Sequence, residues 1–323
     1  MALFVPGEDG PAHEVRTWLR MVGGAESNVA CTLARLGVRS AWVSAVGADP
    51  FGRAVVAAVA EAGVDVSGVR VDPVRPTGVY IKESDASGSR VRYYRNGSAA
   101  SAMGPERVAD LAVDGVRVVH LSGITAALSP SCRALVDAVL ALPRTSHLVS
   151  FDVNWRPALW VGGDGGVLRA LADRADIVLV GADEAKALWG TEEPEAIRAL
   201  LPGPATLVVK QAERGATLVE RDPATGLDRA AVFGPALRVD IVEPVGAGDA
   251  FAAGFLAATL TDASPLRRLR AGHLQAAGAL RTHDDVPMPL PLDLVAHLLD
   301  ADAATWATTH LTAAFDSPGV PRA

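Results

Sequence analysis

The residues best suited to chemistry are two glycines and a carboxylate at the start of an apolar helix: Gly246-Ala247-Gly248-Asp249. Ahead of them, Ala236 to Val242 alternates as a strand does, and from Ala250 to Leu260 the chain is almost all Ala, Phe, Leu and Gly, a helix pattern. A glycine turn before a helix presents free backbone N–H groups and the positive end of the helix dipole, which together suit an anion. Asp249 falls in the first turn and would face the same anion. On these residues alone two readings stand level: an anion site with a carboxylate beside it, or a tight turn with a helix cap.

A second group lies near the start. Gly23-Gly24 precedes Asn28 and a helix with Val29, Leu33 and Leu36 on one face, closed by Gly37. A strand over Ala41–Val46 and a helix over Arg53–Ala62 follow. From Val69 to Arg95 no helix intervenes. Residues 76–82 and 90–95 alternate and predict an antiparallel pair around a turn at Asp85 to Ser89. Period-2 alternation puts Tyr93 and Arg95 on one face and Tyr94 on the other.

The elements that must position these groups are strands alternating with helices. Strands are expected over 116–121, 147–152, 175–180 and 205–210, with helices between them, then a hairpin over 216–220 and 230–233 and closing helices over 266–280 and 292–299. That order predicts a mostly parallel sheet covered on both faces, with ligands at the carboxyl ends of its strands. Met1 to Val5 and Val15 to Val22 read as short strands, and the tail from about Leu311 as loose.

Bulk properties narrow the classes. The chain has 323 residues, is 50% hydrophobic with 5% aromatics, and carries a formal net charge of −7. No basic run points to nucleic acid or a membrane surface, and no apolar run approaches the roughly 20 residues of a membrane span. Cys31 and Cys132 suit neither a disulfide framework nor a zinc site, so a reducing cytoplasm is expected. Only Lys82, Lys186 and Lys210 are lysines among 30 basic residues.

Gly246-Ala-Gly-Asp249, with Gly23-Gly24 and Asn28 some 220 residues before it, resembles the two signatures of the ribokinase-like (PfkB) carbohydrate kinases. Thr77-Gly-Val-Tyr80, Tyr93-Tyr-Arg95, His120-Leu-Ser-Gly-Ile-Thr125 and Asp152-Val-Asn154-Trp-Arg156 further resemble the 2-keto-3-deoxygluconate kinases within that family. The resemblance implies a three-layer α/β/α sandwich with a mostly parallel central sheet and a small β lid. One kinase domain would span 1–323, its lid formed by about 1–20 and 69–100. It implies ATP-dependent phosphorylation of the sugar acid's terminal hydroxyl, giving the 6-phosphate. Asp249 would be the general base, and Gly246, Ala247 and Gly248 the anion hole. Gly23, Gly24, Asn28, Tyr80, Tyr93, Arg95 and Arg156 would line the sugar site, the two guanidiniums matching a planar carboxylate.

For ATP, the resemblance implies Lys210, Glu213, Gly215, Gly246, Gly248 and, beside the adenine, Ala277. Glu184 would reach Mg2+ through water; the family's neighbouring asparagine is Gly181 here. Some relatives bind a monovalent cation just before the catalytic turn through Asp-Thr-Thr, where this chain has Glu243-Pro244-Val245. A homo-oligomer through the lid is expected. The opening residues lack the family's usual first core strand, so the chain is expected either to start late or to lack a leading segment. Two alternatives stay open: a kinase of a neutral sugar such as fructose or ribose, and a sugar-acid binder with impaired catalysis.

Overall fold

In the computed structural model, residues 1–8, 10–85, 88–111, 115–160, 165–286 and 289–313 are described. The chain opens with strands Ala2–Pro6 (β1) and Trp18–Val22 (β2), helix Ala25–Arg35 (α1), strand Ser44–Gly47 (β3), helix Pro50–Glu61 (α2) and strand Val69–Asp72 (β4). Val79–Asp85 (β5) and Gly88–Tyr94 (β6) then pair antiparallel. The four-stranded lid sheet runs β2-β1-β5-β6, with β1 antiparallel to β2 and parallel to β5. Val69–Asp72 belongs elsewhere, since β4 pairs in parallel with β3. The lid expected over 69–100 therefore loses its first few residues to the main body. The turn expected at Asp85 to Ser89 falls partly outside the described residues.

The second half supplies the main sheet. Its elements are Val118–Ser122 (β7), Gly123–Leu128 (α3), Pro130–Leu140 (α4), Leu148–Asp152 (β8), Gly165–Ala172 (α5), Ile177–Gly181 (β9), Ala182–Trp189 (α6), Pro194–Leu200 (α7) and Thr206–Lys210 (β10). Gly215–Glu220 (β11) and Val232–Pro235 (β12) add an antiparallel edge, so the sheet runs β12-β11-β10-β9-β8-β7, with β7 to β10 parallel. Alternation along each buried strand builds two cores. Val178 and Val180 of β9 join Leu207 and Val209 of β10 under α4, α5 and α7. Ile177, Leu179 and Val208 point the other way, to Phe251 and Phe255 of helix Ala247–Thr259 (α8) and Leu269 of helix Pro265–Leu280 (α9). Those opposite faces make the three layers of an α/β/α sandwich.

The strand expected over 236–242 shrinks to Arg238–Val239 (β13). Beyond it, the N–H groups of Val242 and Glu243 both bond the Leu280 carbonyl at the end of α9 instead of a strand neighbour. Helices Leu292–Asp300 (α10) and Ala303–Thr308 (α11) lead to His310–Leu311 (β14), which pairs with β13. The tail expected to be loose from about 311 is thus held through Leu311, 8% exposed, and Trp306, 1% exposed, in a small C-terminal core. Residues after 313 lie outside the described ones. Among the described residues no helix is long and apolar enough to cross a membrane.

Candidate active site

The site forms where three separated stretches meet. Gly246 precedes the first residue of helix α8 with a φ of 90°, the left-handed region open to glycine, and no side chain caps that end. A Cβ at Gly246 would also stand 2.8 Å from the Asp285 carbonyl. Asp249, in the first turn, is 9% exposed. Helix α1 brings Asn28, whose Nδ2 donates to Asp249 Oδ2 at 2.8 Å, while its Oδ1 accepts from the Gly24 N–H at 3.2 Å. The end of β8 brings Asn154, which adopts a left-handed φ of 40° and donates Nδ2 to Asp249 Oδ1 at 3.1 Å. Burial is the largest influence on Asp249 and raises its carboxyl to about 7. Asn28 pulls it down, and the Asp152 charge adds to the rise.

Next to it, Lys210 at the end of β10 sets its ammonium 2.9 Å from both oxygens of Asp152. Burial alone would lower this lysine; the charges of Asp152 and Glu184 outweigh it and raise it. A Cβ on Gly248 would lie 3.7 Å from Lys210 Nζ, so the lysine borders the helix N-terminus. Glu184, in the first turn of α6, accepts from the Gly181 N–H at 2.8 Å and the Trp155 N–H at 3.0 Å. Burial lifts its carboxyl above the ordinary value against the pull of Lys210. Arg156 Nη1 lies 3.7 Å from Glu184 Oε1 and donates to the Trp155 carbonyl at 2.9 Å.

The lid closes the other side. Arg95, 8% exposed, sits 4.1 Å over the Tyr93 ring. Its Nε and Nη2 are buried with no hydrogen-bond partner. Burial and the Arg156 charge both lower its affinity for its proton, with Tyr93 and Glu26 opposing. Tyr80 stacks on Tyr93 with ring centroids 5.7 Å apart, and its hydroxyl donates to Asp285 Oδ2 at 2.5 Å. Tyr94, on the opposite face of β6, is 60% exposed.

One cavity of about 1620 Å³ takes in Gly24, Asn28, Tyr80, Tyr93, Arg95 and Arg156 together with Glu184, Lys210, Gly246, Gly248 and Asp249. Gly23 is buried just behind it, where a Cβ would collide with the Tyr80 hydroxyl and Asp285. Ala247 opens α8. Three expected nucleotide residues are not part of this cavity's lining. Ala277, 2% exposed, is packed among Leu237, Leu274 and Leu290 in the C-terminal core. Gly215 has a φ of 136° and abuts the Gly234 carbonyl, so β11–β12 pairing explains it. Glu213 stands exposed on the turn before β11. Tyr80 lines the cavity, but its hydroxyl is committed to Asp285. Asp152 and Asn154 stand in the sequence only as part of a motif, with no site role of their own, and Asp285 has none either. Asn154 carries a usable signal, a polar residue just past a strand end, whereas Asp285 acquires its neighbours only through the tertiary fold.

Residues 2–291 match the family described as pfkB family carbohydrate kinase. The chain belongs to that family. It is 36% identical over 289 residues to the 2-dehydro-3-deoxygluconokinase of Bacillus subtilis, covering 87% of this chain and 86% of that one. It is 35% identical over 268 residues to the enzyme of the same name from Thermoproteus tenax, covering 80% and 79%. A sugar kinase from Pyrococcus horikoshii in complex with ATP superposes with a TM-score of 0.77 at 25% identity, covering 95% of this chain and 97% of that one. As a pfkB carbohydrate kinase, the protein is a sugar kinase enzyme with ATP as its phosphoryl donor, and the three-layer sandwich expected from the sequence is its fold.

Proposed function

We propose that this carbohydrate kinase, a single domain, phosphorylates the terminal hydroxyl of 2-keto-3-deoxygluconate, with ATP as donor, giving the 6-phosphate and ADP. The observation that carries the acid is Arg95. A buried guanidinium with two unpartnered nitrogens, in the same cavity as Asp249, is costly unless an anion completes it. A substrate carboxylate supplies that anion and matches the fork geometry. Arg156, within range of the Arg95 charge, adds a second positive group. A neutral sugar would leave Arg95 unpaired.

In this reading Asp249 takes the proton from the attacking hydroxyl. Its elevated value of about 7 makes it a base poised near neutral pH. The uncapped N-terminus of α8, at Gly246, Ala247 and Gly248, cradles the transferred phosphoryl group, and Lys210 neutralises charge beside it. Gly23, Gly24 and Asn28 wall the sugar side. Among the described residues no group of three or more His, Cys, Asp or Glu could hold a metal ion. Mg2+ keeps several waters and rides on substrate phosphates. Glu184 would hold one of its waters, and the ion would supply charge neutralisation when bound. A homo-oligomer through the outward lid face, near exposed Tyr94, and a reducing cytoplasm, for buried Cys31 and Cys132, belong to the same reading.

The test is a coupled ADP-release assay over 2-keto-3-deoxygluconate, fructose and ribose. The reading requires kcat/KM for the keto acid to exceed that for either neutral sugar by at least ~10-fold, the scale of one charge-assisted contact.

A further inference from the structure

Away from the reacting groups, the lid carries a buried cation that the chemistry above does not use. Lys82 lies two residues after Tyr80 on β5, so both side chains point the same way, under the lid. Lys82 is 2% exposed. Its ammonium is 2.7 Å from Asp285 Oδ1, 3.3 Å from the His283 carbonyl and 3.9 Å from Glu243 Oε2. Asp285 and Glu243 are 3% and 4% exposed.

Both acidic partners bear on the turn that opens α8. Glu243 Oε1 accepts from the Val245 N–H at 3.1 Å, one residue before Gly246. The Asp285 backbone packs against Gly246 so closely that a Cβ there would stand 3.0 Å from its Cα. Asp285 also receives the Tyr80 hydroxyl. The lid strand and the proposed anion hole are therefore joined through one ammonium. Two carboxylates and a carbonyl are hard oxygen donors of the kind that hold a hard metal cation, and here they hold the lysine ammonium. A buried ion cluster of this sort adds little net stability, and setting register is its best-attested use.

We propose that Lys82 is a positioning residue for phosphoryl transfer, a tethered monovalent cation that fixes the 243–249 turn against the closed lid and makes the enzyme independent of free potassium or ammonium. The inference rests on the phosphoryl-transfer reading. The wild-type rate tests that reading, and cation response tests this one.

The experiment compares wild type, Lys82→Ala and Lys82→Met in tetramethylammonium chloride and in ammonium or potassium chloride at equal ionic strength. Wild type should differ by less than ~2-fold between salts. Both variants should lose kcat by roughly 10- to 100-fold with sugar KM little changed, the scale of a displaced but intact catalytic group. Ammonium or potassium should restore most of kcat in Lys82→Ala, which leaves room for the ion. Lys82→Met, which fills that room, should not recover. The proposal is overturned if ammonium or potassium activates wild type, if the variants keep full kcat, or if the loss in a folded Lys82→Ala is not cation-reversible. Should Lys82→Ala fail to fold, the wild-type salt response and the kcat of Lys82→Met decide by the same criteria.

Discussion

The Asn28 side-chain amide donates to Asp249 Oδ2 at 2.8 Å across 221 residues of chain. This contact fixes the rotamer of the proposed base and favours its charged form, against the burial that lifts it to about 7. A base must be deprotonated to act, so kcat/KM should fall as pH drops through about 7. Asn28→Ala removes a group that holds the carboxyl down, so the acid limb should move to higher pH. Asp249→Asn should lower kcat by at least ~10²-fold, the scale of a lost general base. A pH–rate profile of the three proteins checks this. An unmoved limb in Asn28→Ala would assign the titration to another group.

The same carboxyl predicts a pH-dependent stability. Its folded value, about 7, lies above the ordinary aspartate value of 3.8, so the folded state binds a proton that the unfolded chain releases. Whatever stability this contributes is fully present below the unfolded value and is lost as pH rises through about 7. Asp249→Asn cannot titrate. From pH 5 to pH 8 wild type should therefore lose roughly 2–3 kcal/mol relative to the variant, nearly two units at 1.36 kcal/mol each. Urea unfolding at the two pH values measures the difference. A constant gap would mean that Asp249 is charged throughout.

The chemistry-bearing turn was legible because it is local: Gly246 and Gly248 ahead of an apolar helix announce an N-terminus whatever surrounds it. Central-sheet strands were legible for the same reason, since Ile177–Gly181 is wholly apolar and too short for a helix. What sequence hid is tertiary. Nothing near Asp285 announces that Tyr80 and Lys82 will reach it from more than 200 residues away. Ala277 is placed beside the adenine by the resemblance alone, which carries no information on which way this helix position faces. Only the packing of Leu274 and Trp306 shows it turned inward.

Arg95 should discriminate between substrates. Arg95→Met keeps the aliphatic packing on Tyr93 and removes the charge. Its kcat/KM for the keto acid should drop by the equivalent of roughly 1.5–3 kcal/mol, on the order of 10- to 100-fold, while fructose changes little. Because an unpaired buried charge is removed, the ligand-free variant should melt no lower than wild type. Parallel kinetics and thermal melts test both halves. A lowered Tm with equal losses on both sugars would make Arg95 a structural residue.

Lys210 and Asp152 form a bidentate pair with Asp152 only 1% exposed. Removing the lysine strands that carboxylate, so Lys210→Met should cost about 3–5 kcal/mol. Adding Asp152→Asn should recover much of it, giving a favourable coupling in a double-mutant cycle. Activity should not return with stability, because the charge beside Gly248 is still missing. If the double variant is as unstable as the single, the pair is not what holds β8 and β10 at this end.

Arg156 is placed to serve either end of the cavity. Its guanidinium is partly exposed and lies 3.7 Å from Glu184, so it is less desolvated than Arg95 and already shares a carboxylate. If it also meets the substrate acid, Arg156→Ala should cost about 10-fold in kcat/KM for 2-keto-3-deoxygluconate, the low end for a charge-assisted contact. The loss on fructose should stay below ~3-fold, since a neutral sugar leaves no charge unpaired. The KM for ATP should hold in that case. A different pattern follows if Arg156 works with Glu184 on the phosphate side: equal losses on both sugars and a raised KM for ATP. That outcome would leave Arg95 as the sole anchor for the carboxylate, and the Arg95→Met result alone would then decide between an acidic and a neutral sugar.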